Sequence, residues 1–205
     1  MSIDTIIFDL GNVIINFDHN IALKKISNYT TKDVEQIYKL VFSSDLIKDF
    51  EKGLIAPRDF FSNLRRTLCL ENLDYSEFVP IWNEIFTENK DVSNIIQILK
   101  ENNFKIILIT NVNKLHLDYV KSTFKILNKI DKIIASCEVG IRKPEPQIYQ
   151  LVQKIADKKA SDLIYIDDLV ELTEAAKGLG FSVINFDNAN QLKNELINYG
   201  ITCLR

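Results

Sequence analysis

The chain of 205 residues lacks features that mark several classes of protein. It has no basic tract and a net charge of −3, so nothing in it would neutralise the phosphates of a nucleic acid. No apolar run approaches the roughly 20 residues that a membrane-spanning helix needs. The first residues also lack the basic and then apolar pattern of a secretory signal. We therefore expect a cytoplasmic protein that binds neither nucleic acid nor a membrane.

Cysteine and histidine are scarce as well. Cys69, Cys137 and Cys203 are odd in number and widely spaced, so they form neither a metal-binding pattern nor a disulfide framework. Such cysteines are typical of reduced thiols in the cytoplasm. Only His19 and His116 are available as imidazole bases, and neither is near a cysteine in the sequence. We therefore do not expect cysteine-based catalysis.

The second half of the chain alternates short apolar runs with helical patterns. The predicted strands cover residues 104–110, 132–136, 162–166 and 181–186. The predicted helices between them cover residues 114–124, 145–156 and 171–179. Strand, helix and strand in this order means parallel pairing with right-handed crossovers. The sequence therefore predicts an α/β fold with a doubly wound parallel sheet.

Residues 19–89 break this alternation. They show no convincing strand and several amphipathic helical windows, such as 31–42 and 58–68. We interpret the phenylalanines and Trp82 of this region as core residues. Because the region directly follows the first strand, we predict a helical domain of residues 19–89 inserted into a core domain of residues 1–18 and 90–205.

The first strand ends in an acid. Residues 5–8 form an apolar, β-rich run, Asp9 follows, and Gly11 and Asn12 then favour a turn. A carboxylate at the carboxyl end of a buried strand lies where open α/β sheets place their ligands. Taken alone, such an Asp is equally typical of a residue that only accepts hydrogen bonds from nearby backbone amides.

Two later segments suit an anion. Thr110 and Asn111 follow the second strand and can hold a phosphate oxygen without adding charge, although an ST-turn with a helix cap has the same residues. Lys143 follows the third strand, and Pro144 fixes it at a helix start. A lysine in that position suits an anion site, and the alternative is a solvated surface lysine.

The fourth segment suits a cation. Asp167 and Asp168 follow the next strand, and adjacent carboxylates repel each other unless a cation or a hydrogen-bond network compensates. Carboxylate oxygens are ligands that Mg²⁺ prefers, although a plain helix cap also explains the pair. All four segments end parallel strands, so they face the same crevice. We therefore predict a Mg²⁺ site there.

In this order the four segments resemble the motifs of the haloacid dehalogenase-like (HAD) hydrolase superfamily, and the resemblance spans the whole chain. The inserted helical domain is similar to the mobile helical cap that is common in that superfamily. Several segments resemble its glucose-1-phosphate phosphatase-like branch: residues 8–14, 50–53, 110–113 with Leu115 and His116, and 140–145 with Ile148 and Tyr149. The resemblance implies a Rossmann-like HAD core with a cap domain.

The resemblance also implies an activity. The chain would be a Mg²⁺-dependent phosphatase, a phosphoric monoester hydrolase that acts on a small phosphorylated metabolite such as a sugar phosphate. Asp9 would be the nucleophile that forms an aspartyl phosphate. The implied ligands of Mg²⁺ are Asp9, the backbone carbonyl of Gly11, Asp168 directly and Asp167 through a bound water.

The remaining implied residues contact the substrate. Thr110, the backbone of Asn111 and Lys143 would bind the transferring phosphoryl group, and charge neutralisation by Mg²⁺ and Lys143 would supply most of the catalysis. Glu51 lies in a polar segment with a glycine, as a lid loop does. We expect this segment to close over the site and select the substrate.

Two positions depart from the pattern. Most phosphatases of the superfamily carry a second Asp two residues after the nucleophile, as general acid and base, and this chain has Gly11 there. The glucose-1-phosphate phosphatase-like branch also has Gly, so the proton source is left open. Leu172 stands where that branch tends to have an Asn that steadies the loop, and we expect Glu171 or Glu174 to replace it.

Two other functions compete with the phosphatase. In a haloacid dehalogenase the same Asp attacks carbon and needs no metal, and the paired Asp167 and Asp168 argue against this chemistry. The second alternative is a degenerate HAD-like binding protein, which Gly11 and Leu172 support. In each case we expect a monomer or a weak homodimer.

Overall fold

The apolar runs of the sequence form one parallel sheet, as predicted. The computed structural model describes residues 3–205. In chain order its strands and helices are β1 (Thr5–Phe8), β2 (Ile15–Phe17), α1 (His19–Ile26), α2 (Val34–Phe42), α3 (Asp45–Glu51), α4 (Pro57–Leu68), α5 (Tyr75–Asn83), β3 (Phe86–Glu88), α6 (Lys90–Glu101), β4 (Lys105–Thr110), α7 (Lys114–Thr123), β5 (Lys132–Ala135), α8 (Ser136–Val139), α9 (Pro146–Ala156), β6 (Leu163–Asp167), α10 (Val170–Gly178), β7 (Ser182–Asn185) and α11 (Ala189–Asn198).

The sheet has the order β5-β4-β1-β6-β7, and all four neighbouring pairs are parallel. The chain builds outwards from β1 first on one side and then on the other, so the prediction of a doubly wound sheet is confirmed. Phe8 lies beside Leu108 and Ile166 in the register. Asp9 therefore leaves the sheet next to Asp167, at the point where the strand order reverses and open α/β sheets bind ligands.

Helices cover both faces of the sheet. Ile6 and Phe8 pack on one face with apolar residues of α6 and α11. Ile7 packs on the other face with apolar residues of α9 and α10. Successive strand residues point to opposite faces, so a strand that is covered on both sides is apolar throughout. This explains why the strands appear in the sequence as continuous apolar runs.

Helices α1 to α5 have an apolar cluster of their own. It includes Leu23, Phe50, Phe60, Leu64 and Trp82. The apolar residues of α4 recur at helical spacing along one stripe, and this pattern buries one side of an amphipathic helix. The prediction of a helical region inserted after the first strand therefore describes these elements, and its exact limits at residues 19 and 89 stay a prediction.

A short ribbon closes the helical region at both ends. β2 and β3 pair antiparallel, with Ile15 opposite Glu88 and Phe17 opposite Phe86. β3 lies within residues 19–89, so the expectation of no strand there is wrong at this point. A strand of three residues is too short to show an alternating pattern.

Residues 1 and 2, with which the predicted core domain begins, lie outside the described residues. Within residues 3–205, no helix combines the length and the apolar composition that crossing a bilayer requires.

Candidate active site

The carboxyl ends of β1, β4 and β6 open into a cavity of about 220 Å³ that the helical region covers. The predicted site residues that line this cavity are Asp9, Gly11, Glu51, Thr110, Asn111, Lys143 and Asp168. Asp167 lies beneath them and is fully buried. The strand ends therefore meet at one crevice, as the parallel topology requires.

Lys143 is a buried residue and not a solvated one. Its ammonium Nζ lies 2.6 Å from Asp9 Oδ1 and 2.6 Å from Asp167 Oδ2, and the residue is 2% exposed. Burial alone would lower the pKa of Lys143, but Asp9 and Asp167 outweigh this effect and raise it. Lys143 is therefore a fixed positive charge beside the predicted nucleophile.

The side chain of Asn111 fixes the backbone of Lys143. Its Oδ1 accepts a hydrogen bond from Lys143 N at 2.8 Å, and its Nδ2 donates to Lys143 O at 2.9 Å. This paired contact holds the loop before α9 against the end of β4. The sequence predicted a phosphate contact for the backbone of Asn111, and the positioning role of its side chain was missed.

The carboxyl group of Asp9 is partly protonated and partly ionised near neutral pH. Burial raises the pKa of its carboxyl to about 7, with Lys143 acting in the opposite direction and Asp167 adding to the rise. A cation next to Asp9 would lower this pKa and keep the carboxylate ionised. The nucleophile predicted from the sequence is thus a group whose charge depends on what is bound beside it.

Asp9, Asp167, Asp168 and Lys143 form what we call the ionic cluster. One carboxylate oxygen from each of the three acids lies within 4.8 Å of the other two. Three carboxylates against one ammonium leave an excess of negative charge. Mg²⁺ prefers oxygen ligands and commonly binds one or two carboxylates together with water and substrate phosphate, so these residues fit the ion.

The two adjacent acids of β6 have different surroundings. Asp167 Oδ2 accepts hydrogen bonds from Lys143 and from the hydroxyl of Tyr165, and its Oδ1 accepts from Leu169 N at 2.9 Å. Asp168 faces the cavity and is contacted by Asn12 Nδ2 at 3.3 Å. Asp168 is therefore the more accessible ligand, while Asp167 positions Lys143.

Asn185 steadies the loop after β6. Its Nδ2 lies 3.1 Å from Asp168 O and 3.3 Å from Asp167 O. The expectation that Glu171 or Glu174 supports this loop is wrong: Glu171 is exposed, and Glu174 pairs with Lys177 at 3.1 Å. Asn185 ends the adjacent strand β7, so a polar residue at the next strand end was the signal that could have identified it.

Gly11 lies close to the ring of Phe17. A Cβ atom added to Gly11 would lie 2.8 Å from a ring carbon of Phe17. Asn12, the next residue, adopts the left-handed conformation with φ of 54°. The ring of Phe17 thus occupies the space in which the side chain of a second Asp would begin, and no pattern in the sequence indicates this contact.

Glu51 attaches the helical region to the core. Its Oε2 accepts from Arg142 Nη2 at 2.8 Å, and its backbone oxygen accepts from Ser136 Oγ at 2.6 Å. Gly53 has φ of +71°, and a Cβ atom there would collide with the carbonyl oxygen of Cys137. The predicted lid segment is therefore docked tightly against α8, with the side chain of Glu51 in the cavity wall.

The cavity also has an aromatic wall. We give this name to six residues that line the cavity: Phe17, His19, Phe42, Trp82, Phe86 and His116. The centroids of the Trp82 and His116 rings are 5.3 Å apart, and those of His19 and Phe42 are 4.4 Å apart. The sequence analysis assigned the phenylalanines and Trp82 to the core, so their position in the cavity wall was missed.

Both histidines of the aromatic wall are uncharged at neutral pH. Burial lowers the pKa of His116 to about 3 and that of His19 to about 4. His116 N donates to Asn113 Oδ1, so Asn113 Nδ2 must donate to His116 Nδ1 at 3.0 Å. Nε2 of His116 then carries the hydrogen and donates to Trp82 O at 3.0 Å. The ring of His116 is fully committed and is not a free acid or base.

A model of the haloacid dehalogenase-like hydrolases matches residues 3–180. The chain belongs to this family. Its relatives include a D-ribitol-5-phosphate phosphatase of Bacteroides thetaiotaomicron, 25% identical over 201 residues that make up 95% of this chain and 97% of the relative. The sesquiterpene phosphatase astK of Aspergillus oryzae is 23% identical over 178 residues, which are 85% of each chain. Drimenol cyclase drtB of Aspergillus calidoustus is much longer, and the chain spans 36% of its length.

A solved structure supports the fold of this HAD-like chain. A HAD family enzyme from Bacteroides thetaiotaomicron, solved as a magnesium complex, matches with a TM-score of 0.82 at 22% identity, over 96% of this chain and 99% of that one. The superfamily predicted from the sequence is confirmed, and the glucose-1-phosphate phosphatase-like branch stays a prediction. The HAD-like chain is a hydrolase, and phosphatases among its relatives support a phosphoric monoester hydrolase.

Proposed function

We propose that this HAD-like chain is a Mg²⁺-dependent phosphatase that hydrolyses a small phosphorylated metabolite through an aspartyl phosphate. The observation that carries the proposal is the contact of Lys143 Nζ with Asp9 Oδ1 at 2.6 Å, at the edge of a cavity that also exposes Asp168. An acidic nucleophile, a fixed cation and a nearby metal ligand are the parts that phosphoryl transfer needs.

The residues have the following proposed roles. Asp9, Asp168 and the backbone carbonyl of Gly11 would hold Mg²⁺, with Asp167 acting through a bound water, and the ion would neutralise phosphoryl charge. Thr110, the backbone of Asn111 and Lys143 bind the non-bridging oxygens. Glu51 contacts the part of the substrate beyond the phosphate.

The reaction proceeds in two displacements. An Oδ atom of Asp9 attacks phosphorus while the bond from phosphorus to the leaving oxygen breaks, and the oxyanion that departs then takes up a proton from water. Water then attacks the phosphorus of the aspartyl phosphate, which releases inorganic phosphate and restores the Asp9 carboxylate. Lys143 stabilises the charge that builds up on the phosphoryl oxygens in both steps.

The finer predictions remain open to test. A sugar phosphate is the substrate predicted from the sequence, and one relative is named as a D-ribitol-5-phosphate phosphatase. The excess of carboxylates in the ionic cluster favours the phosphatase over the metal-independent dehalogenase. The monomer or weak homodimer and the cytoplasmic location also stay predictions.

Hydrolysis of p-nitrophenyl phosphate tests the proposal. We expect activity with Mg²⁺, its loss with EDTA, and recovery when Mg²⁺ is restored. Asp9→Asn should lower kcat by at least about 10³-fold, because the nucleophile is lost, with a Tm close to or above that of the wild type. Asp157→Asn makes the same chemical change at an exposed residue and should retain activity. Full activity in Asp9→Asn, or chloride release from a 2-haloacid in place of phosphate release, would contradict the proposal.

A further inference from the structure

The aromatic wall lines the same cavity as three residues of the ionic cluster, Asp9, Lys143 and Asp168. We propose that this wall binds the leaving group and that the group is a planar apolar ring, so the preferred substrates are aryl and arylmethyl phosphates and not polyol phosphates. The inference rests on the proposed phosphatase function and narrows its substrate class.

The rings of the wall form a continuous stack. Phe42 and Trp82 are nearly parallel, with an interplanar angle of 9° and centroids 6.3 Å apart, and Trp82 is 17° from parallel with His116. A planar ligand ring contacts such a surface through offset or edge contacts without distorting it. The two histidines add no charge to the wall, because burial lowers their pKa values far below neutrality.

The wall has little capacity to bind hydroxyl groups. Both ring nitrogens of His116 and the side-chain amide of Asn113 are bonded within the protein. The carboxylate of Glu51 is paired with Arg142. The remaining polar groups of the wall are the imidazole of His19 and the indole N–H of Trp82, which is buried with no hydrogen-bond partner among the described residues.

This inventory argues against a polyol. A ribitol or glucose group carries several hydroxyls, and each hydroxyl that is buried without a partner weakens binding by roughly 5- to 100-fold. An apolar ring has no such requirement and releases water from the wall.

Phe17 gives an independent reason for an aryl leaving group. Its ring lies against Gly11, two residues after Asp9, where the chain offers no acidic side chain that could protonate the leaving group. Without such an acid, the leaving oxygen departs with little protonation, and the rate then depends strongly on its basicity. The oxygen of an aryl ester is a weak base, so it leaves without an acid more readily than the oxygen of a polyol.

The cavity has room for one ring beside a phosphoryl group. An apolar cavity of about 150 Å³ is known to hold benzene. The present cavity of about 220 Å³ must also contain the phosphoryl group. A phenyl or benzyl ester fits this space.

The test compares substrates that separate apolarity from leaving ability. Benzyl phosphate and ribitol 5-phosphate both leave through an alkyl oxygen, so we expect a kcat/KM for benzyl phosphate at least tenfold higher, and a still higher value for phenyl phosphate. A preference for ribitol 5-phosphate or glucose 1-phosphate would overturn the inference and leave the phosphatase proposal intact. Hydrolysis of none of these esters would contradict the phosphatase proposal.

A binding measurement tests the wall without turnover. The chain has one tryptophan, Trp82, so its emission reports directly on the wall. With Mg²⁺ present, benzylphosphonate should bind at least tenfold more tightly than methylphosphonate and should change this emission. Equal affinities, or tighter binding without any change in emission, would overturn the inference even if the enzyme is active.

A matched pair of variants tests whether the preference for benzyl phosphate comes from the aromatic wall. Phe42→Leu removes one ring from the wall and should reduce the preference for benzyl phosphate over ribitol 5-phosphate by roughly 2- to 10-fold. Phe104→Leu makes the same change in a partly buried residue of the sheet domain that is outside the cavity, and should leave the preference unchanged. Equal changes in both variants would overturn the assignment of Phe42 to the surface that contacts the ligand. If either variant fails to fold, the phosphonate binding measurement on the wild type still tests the inference.

Discussion

Two sides of one cavity show opposite responses to burial. In the ionic cluster, Lys143 stays charged although it is buried, because Asp9 and Asp167 lie 2.6 Å from its ammonium group. In the aromatic wall, His116 is equally buried but faces rings and an amide, so its pKa falls to about 3. Burial by itself therefore does not decide the charge of a group. The charge of its neighbours does, and a single pocket holds both outcomes.

The largest expected effect is in the ionic cluster. Lys143→Ala removes the cation from between two buried carboxylates and should lower kcat/KM by about 10²–10³-fold. The free energy of unfolding should fall by about 3–5 kcal/mol, because a buried charge pair is broken on one side only. Lys158→Ala is the control, since Lys158 pairs with Asp4 near the surface and should contribute less than about 1 kcal/mol. A loss of activity below threefold would refute the electrostatic role of Lys143.

The next largest effect is a dependence of stability on pH that comes from His116 in the aromatic wall. The pKa of His116 is about 3 in the folded protein, whereas the ordinary pKa of a histidine, which applies to the unfolded chain, is 6.5. The unfolded chain therefore takes up a proton first, and stability contributed by the neutral ring is lost as pH falls from 6.5 towards 3. The loss is about 2 kcal/mol at pH 5.

His116→Gln tests this dependence. The free energy of unfolding, measured by urea titration at pH 7 and at pH 5, should fall with acid by about 2 kcal/mol less in the variant than in the wild type. Titration of the buried carboxylates occurs in both proteins and cancels in this comparison. Parallel curves would mean that His116 already titrates normally in the folded protein.

A third prediction concerns the contact of Glu51 in the helical region with Arg142 in the sheet domain. Glu51→Ala removes the ion pair with Arg142 from the cavity wall while the hydrogen bond from Ser136 to the backbone of residue 51 remains. We expect roughly a tenfold change in the ranking of larger substrates relative to p-nitrophenyl phosphate. Glu35→Ala, an exposed change on α2, is the control. A uniform effect on all substrates would mean that Glu51 only supports the structure.

The smallest effect is expected at Tyr165. Its hydroxyl donates to Asp167 Oδ2, which Lys143 also contacts. Tyr165→Phe should lower kcat by roughly 2- to 10-fold with little change in KM, because Asp167 keeps its other two hydrogen bonds but is held less firmly. Tyr149→Phe removes a hydroxyl that donates to Leu172 O, outside the ionic cluster. An equal loss in both variants would show a general packing effect.

The sheet and the ionic cluster were largely predictable from the sequence. Apolar runs that are continuous rather than alternating indicate parallel strands covered on both faces, and the five strands of the sheet end within one residue of their predicted limits. Because such strands align at their carboxyl ends, a polar residue that follows each one is placed in a common crevice. Asp9, Thr110 and Asp168 were found in this way.

The aromatic wall could not be predicted in the same way. Trp82 packs in the apolar cluster of the helical region and also lines the cavity. Apolar periodicity identifies the buried side of a helix, but it does not say whether that side meets another helix or an open space. The contact of Phe17 with Gly11 and the support from Asn185 depend on chain geometry beyond the local pattern.

The β2–β3 ribbon gives the molecule a modular construction. The chain leaves the sheet domain and returns to it through neighbouring strands joined by three residue pairs. Between these two points lie the helices that carry Phe42 and Trp82, whereas Asp9 and Asp168 follow strands of the sheet. Much of the apolar lining of the cavity and the carboxylates of its ionic cluster therefore come from different segments of the chain, which the ribbon joins.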